Sequence, residues 1–407
     1  MAANTPTTSP RTDAQLAEFA EHAFARCAWD DLIRAADGVP VDATGPRGRF
    51  FDAVCFALSQ RKRLPEALAL SRQLQAAPNR MRNVSLAYVI YQALQARRDL
   101  PGEPREALKR EFLAVSGRIL TDDPGHVTSL YRLATFFAEI ESARDKKALE
   151  LYQRAIRVYE VMDPLVRQQR HTFFKPYVKS LYGAARSALR LRQFALGERF
   201  IGRCLRVDAE SHHVAPVFKL YLAASLLLAQ GQAARAEKGL RLALAAEGPP
   251  DRAFVHDRLA RALAAQHDVD GALAWLDRHV PVHRRPAWIW THAGDLELAR
   301  GHRPAAKSAW EAALRGDKTS KHLVLRRLGE LALDDGKLPE ARRRFEEALA
   351  WLRKRHQAVD ARLLEGLLRC AQAANDTAEA TRLGSELDRA RRAAPHRGHE
   401  DQRHDVA

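Results

Sequence analysis

One offset of 35 residues constrains what this chain can fold into more than any other feature. Trp290, Gly294, Gly301, Ala306, Trp310, Ala313 and Leu314, moved on by 35, fall on Leu325, Gly329, Gly336, Ala341, Phe345, Ala348 and Leu349. Seven positions that match in kind at one spacing mark an internal repeat. A period of this length describes a supersecondary unit that buries its apolar face only against its neighbours.

Each residue type has a physical reason to recur. Two helices that cross closely, A and B, each need a small residue at the crossing: Gly294 or Gly329 on A, Ala306 or Ala341 on B. Gly301 and Gly336 suit the turn between them, because glycine adopts a positive φ at a helix end without penalty. Trp310 and Phe345 fill the space toward the next unit, and Ala313 and Ala348 let the next helix A approach.

Upstream, Leu259, Ala260, Ala272 and Leu276 fit the same template, with His279 where a helix-B Ala would stand. Ala224, Gly231, Ala236, Leu240, Ala243 and Leu244 precede them. Ala185, Phe194, Gly197, Ile201, Cys204 and Leu205 make a looser match, and Ala148, Tyr152, Ala155 and Ile156 read as a helix B, as do Leu64, Ala67, Leu70 and Leu74. Leu364, Leu367, Leu368, Ala371 and Ala380 give a degenerate last pair.

A large apolar residue, a helix-A Gly, a turn Gly, a helix-B Ala, an aromatic and a closing Ala-Leu together resemble the tetratricopeptide repeat. The resemblance extends over about residues 50–390 and is strongest over 217–355. It implies an all-α fold, a right-handed α-α superhelical solenoid of helix-turn-helix repeats with about eight or nine helical pairs. It also implies a non-enzymatic adaptor whose A helices line the binding face.

Prolines punctuate the array, since each lacks an N–H and clashes with the preceding turn. Asp163-Pro164 and the segment Asp99 to Pro104 are expected breaks. The expected divisions are a disordered lead at 1–11, degenerate pairs over 12–215, regular repeats with a degenerate final pair over 216–391, and a disordered basic tail at 392–407.

Cys27, Cys55, Cys204 and Cys370 contain no close pair, which argues against a disulfide framework or a zinc site and suits the cytoplasm. No apolar run is long enough to span a bilayer, so no membrane insertion is expected. The segment Arg315 to Thr319 lacks the first Gly of a phosphate loop and reads as an inter-repeat turn. His279 and His283 are separated by Pro281, which breaks the helix that would pair them on a metal. No cofactor, metal or catalytic residue is expected.

The formal charge of +16 favours an acidic partner. On the helix-A face the residues expected to meet it are Lys179, Tyr182, Arg186 and Arg190, then Tyr221, then Arg258 and Arg261. Trp288 and His292 follow, then Arg326 and Arg327, and finally Arg369. Trp288 and Trp290 point to different sides of one helix; Trp290 takes the packing position, leaving Trp288 toward the groove beside Arg284 and Arg285.

Between Met162 and Arg206 ten Lys and Arg face only Asp163 and Glu198, a surplus of eight within the chain's sixteen. Phe173, Phe174, Tyr177 and Tyr182 are interleaved with those cations. Two functions follow: an acidic peptide or protein segment held in a basic concave groove, or RNA and single-stranded nucleic acid bound through 167–206. A neighbour-only architecture carries a direct expectation for truncation. A fragment beginning near Pro216 keeps a helical circular-dichroism spectrum and a melting transition; a wholly unfolded fragment would mean one indivisible globule.

Overall fold

A computed structural model describes residues 12–96, 100, 102–141, 144–317, 319–355 and 359–393. The expected lead at 1–11, most of the expected tail, Asp99 and Pro101 of the first break, and Lys318 of the 315–319 turn lie outside the described residues. The described chain is all α-helical apart from short turns, and it divides between Val214 and Ala215 into two compact units.

The first unit contains α1 (Asp13–Ala25), α2 (Trp29–Ala35), α3 (Gly45–Gln60), α4 (Leu64–Gln73), α5 (Arg80–Gln95) and α6 (Arg105–Asp122). It continues with α7 (Val127–Thr135), α8 (Asp145–Val161), α9 (Pro164–Gln169), α10 (Phe174–Arg190) and α11 (Phe194–Val207). The second contains α12 (Pro216–Ala229), α13 (Ala233–Ala245), α14 (Ala253–Ala264), α15 (Val269–His279) and α16 (Ala287–Ala299). It ends with α17 (Arg303–Gly316), α18 (Lys321–Asp334), α19 (Leu338–Lys354), α20 (Ala361–Ala373) and α21 (Thr377–Ala393).

Helices pair in order as A and B, with α9 standing outside the scheme at the break that Asp163-Pro164 signals. Asp163 caps that short helix by accepting from the Leu165 N–H at 2.8 Å. Ten pairs are present among the described residues, more than the eight or nine expected, and α1/α2 lies ahead of the stretch in which the repeat is readable. α21 runs two residues into the expected tail.

The pairs are held by rings set against glycines. Phe345 of α19 is fully buried. A Cβ placed on Gly329 of α18 would lie 2.8 Å from its ring, and one on Gly366 of α20 would lie 2.5 Å from it. One ring therefore fixes both its own helix A and the next. Trp310 of α17 occupies the same place against Gly294 of α16, and Tyr152 of α8 against Gly183 of α10. The Trp310 indole also donates to Thr291 O and to Asp295 Oδ1, each at 3.1 Å, so its one polar atom is satisfied.

Among the described residues, eight A-to-B turns share one geometry, with a single residue in the left-handed region. Gly231, Gly301 and Gly336 fill it at φ 76°, 80° and 72°, but Cys27, Lys62, Arg192, His267 and Asn375 fill the equivalent turns at φ 55°, 60°, 58°, 65° and 55°. In each of the eight the residue's N–H reaches back three residues and the next N–H five. His267 bonds to Ala264 O at 2.9 Å and Asp268 to Leu263 O at 3.1 Å; Gly336 bonds to Leu333 O at 3.0 Å and Lys337 to Ala332 O at 2.9 Å. These bonds satisfy carbonyls that a helix end leaves open.

Opposite effects are expected at the two kinds of site. Gly329→Leu forces the Phe345 ring out of place and lowers stability by about 1–3 kcal/mol or more. His267→Gly removes a left-handed penalty of roughly 1–2 kcal/mol and adds about 0.4–1 kcal/mol of unfolded-state entropy, so the variant gains roughly half to one kcal/mol. Urea denaturation measures both; a neutral Gly329→Leu would refute the packing described.

Candidate functional site

The helix-A residues of the second unit form a polar row that is wired sideways. Arg258 on α14 donates to the Tyr221 hydroxyl on α12 at 3.0 Å. Asp257, one residue earlier, accepts from His292 Nδ1 on α16 at 2.6 Å and from Arg261 Nε at 2.9 Å. Because an ionised carboxylate only accepts, Nδ1 is the protonated ring nitrogen of His292. Asp295 on α16 takes a two-point contact from Arg327 on α18, at 2.6 and 2.9 Å. Arg326 lies 3.9 Å from Asp360, next to α20, and 3.7 Å from Glu330.

Four residues expected to project toward a partner are therefore in the packing. Tyr221, Arg258, His292 and Arg326 are only 5–8% exposed. A long polar side chain facing the next helix A satisfies its hydrogen bonds by turning onto that helix, and burial makes doing so compulsory. Arg261 and Arg327 are half-buried and committed to Asp257 and Asp295. Arg369 stays open, with a side chain 59% exposed and 3.5 Å from Asp334.

The Trp288 expectation also changes. Ile289, lying between the two tryptophans, is the fully buried residue, and Trp288 is half-buried against the cluster of Ala260, Leu273, Leu276 and Ile289. Arg285 stands 5.1 Å over the ring of Trp290 instead of beside Trp288, and it bonds to Val280 O at 2.9 Å. His279 is exposed; it stacks on His256, with ring centres 4.9 Å apart, and its ring lies tilted against Trp275 at 4.0 Å.

In the first unit most of the cation-rich segment is spoken for. Arg186 pairs with Glu139, and Arg190 bonds to Asp145 at 3.3 Å and to Ala138 O at 3.2 Å. Ala138 lies in a single π-type turn at Phe136–Ile140 that continues α7. Arg170 reaches Asp123 at 3.2 Å, Arg203 reaches Glu160 at 2.9 Å, and Arg167 holds Met162 O and Glu160 O at 2.8 and 2.9 Å.

The interleaved rings divide. Phe173 and Tyr177 are buried, the latter stacked on Tyr159 at 4.3 Å, whereas Phe174 and Tyr182 are half-buried. Lys179 is half-buried too; burial, and then Lys175 nearby, push its pKa below the ordinary lysine value. Lys175, Arg199 and Arg206 are exposed.

Asp257 is the residue that sequence reading missed. Burial alone would push its carboxyl up, but Arg261 and His292 beside it outweigh that and hold it well below the ordinary value of 3.8. A pKa depressed in the fold means the carboxylate stabilises the protein above about pH 4, and that contribution is lost as pH falls through the native value. Asp257→Asn is expected to cost about 3–5 kcal/mol at pH 7, since it strips the negative charge from a buried pair. It should also flatten the acid limb of the stability profile; unchanged urea stability at pH 7 would contradict the role assigned.

Part of the chain matches a known family. Residues 205–335 match the family described as a tetratricopeptide repeat-like domain. No curated protein matches the chain by sequence. Among solved structures, a tetratricopeptide repeat protein from Parabacteroides merdae is 12% identical, covering 77% of this chain and 95% of its own, with a TM-score of 0.41. The human IFIT1 dimer with PPP-AAAA is 14% identical, covering 92% and 82%, with a TM-score of 0.47. A Rap protein complexed with competence and sporulation factor is 12% identical, covering 84% and 97%, with a TM-score of 0.46. Residues 205–335 thus carry a tetratricopeptide repeat-like domain.

Proposed function

We propose that this protein is a non-enzymatic scaffold that holds an acidic peptide or protein segment along its helix-A rows. The observation that carries the reading is the sideways wiring of those rows. Asp257 with His292, and Asp295 with Arg327, fix side chains between successive A helices, so the surface is ordered before a partner arrives. Pre-ordering lowers the entropy cost of association. The charge of +16 gives the sign of the partner.

The contact set is drawn from Lys179 and Arg369, with Tyr182 and Trp288 as half-buried apolar surface. The cytoplasm suits the chain's four free thiols. A second reading, RNA or single-stranded DNA along 167–206, draws on the exposed Lys175, Arg199 and Arg206. It ranks lower because Phe173 and Tyr177 are buried and unavailable for stacking on bases.

Capture from lysate with and without nuclease separates the two readings. The partner is expected to survive nuclease treatment and to dissociate progressively as salt rises. Charge reversal at Lys175, Arg199 and Arg206 breaks no pair described above and should leave capture unchanged. Loss of the partner on nuclease treatment, together with loss of single-strand binding in that triple variant, would reverse the ranking.

A further inference from the structure

Resting on the peptide-scaffold reading, one cation in the first unit stands apart from the paired arginines around it. Arg132, on α7, lies with its guanidinium carbon 4.5 Å from the ring centre of Tyr88 on α5. Among the described residues its side chain makes one hydrogen bond, a long one, 3.5 Å from Nη1 to Val84 O. Among the described residues it makes no ion pair; the ionisable groups that bear on it include the phenols of Tyr88, Tyr91 and Tyr131 and the imidazole of His126. Its neighbours differ: Arg186 has Glu139, and Arg190 has Asp145.

Position matters as much as pairing. Val84, Tyr88, Tyr91 and Gln95 recur along one stripe of helix A α5, at helical spacing. Arg132 projects onto that stripe from the next helix A and is half-buried there. Burial pushes its pKa below the ordinary arginine value. A guanidinium held partly out of water with no counter-ion is a standing cost to the fold. Tyr88 offsets some of it by facing the cation with its ring. The five N–H donors of the planar fork are left mostly unused.

We propose that Arg132, backed by Tyr88, is an anchor for one carboxylate of the bound peptide. A carboxylate fits better than a phosphate on charge: one uncompensated cation balances a single negative charge, and a phosphomonoester brings nearly two. The planar guanidinium and the carboxylate also match as a two-point pair. That carboxylate comes either from an Asp or Glu side chain or from a peptide C-terminus, and two probes tell these apart.

The experiment measures fluorescence anisotropy of two labelled peptides on the full chain. One is hexaglutamate with an amidated C-terminus; the other is hexaserine with a free C-terminal carboxylate. Wild type is expected to bind one of them, and Arg132→Gln should weaken it about tenfold or more, as loss of a charge-assisted pair requires. Arg132→Lys keeps the charge but loses the fork, so it too should bind more weakly. Arg110→Gln, at an exposed cation on α6, should bind as wild type does.

A thermal melt supplies the readout that a purely structural role would not give. If Arg132 waits for a ligand, Arg132→Gln melts at or above the wild-type temperature; if it holds the helices together, the variant melts lower. Wild-type affinity in both Arg132 variants would overturn the anchor and leave the scaffold reading standing. Failure of wild type to bind either peptide would overturn both.

Discussion

A ring pressed into the space left by a glycine sets the geometry on which the rest of each unit depends. Phe345 touches the backbone at Gly329 and Gly366, and no residue with a side chain fits at either place without moving the ring. Trp310 with Gly294 and Tyr152 with Gly183 repeat the arrangement. The close approach brings successive A helices near enough for their polar side chains to meet. Trp310 joins the two levels, since Asp295, which accepts from its indole, is also the partner of Arg327.

That wiring alters how the basic composition should be understood. A surplus of eight cations between Met162 and Arg206 suggests a bare positive surface. In the fold, Arg167, Arg170, Arg186, Arg190 and Arg203 are each bonded to carboxylates or carbonyls from elsewhere in the same unit. Half-buried arginines take such partners because leaving a desolvated guanidinium unmatched costs more than restricting its rotamers. What remains for a partner is a smaller set of open cations and the unmatched Arg132.

Much of the fold was legible because the repeat is written in small residues and rings. The 35-residue offset locates α16 to α19 directly, and Gly231, Gly301 and Gly336 mark three turns. The turns at Lys62, Arg192, His267 and Asn375 could not be read in this way, because hydrogen bonds to the preceding helix hold side-chain-bearing residues in a glycine conformation. The candidate site was less legible. Positions on helix A were assigned to the right helices, but periodicity cannot tell a side chain that faces solvent from one that turns onto the next helix. Tyr221, Arg258, His292 and Arg326 turned inward because Asp257, Asp360 and their neighbours lay within reach. For Trp288 and Trp290 the helical angle was sound, but the core position fell to Ile289 between them.

Hydrogen exchange read by mass spectrometry, with and without amidated hexaglutamate, tests the central functional claim most directly. The account predicts slowed exchange on A helices, with α5, α7 and α10 in the first unit and α16 and α20 in the second as the candidates. The partner helices α6, α13 and α17 should exchange as in the free protein. Protection confined to those B helices, or none at a peptide concentration that saturates binding, would contradict a helix-A binding face.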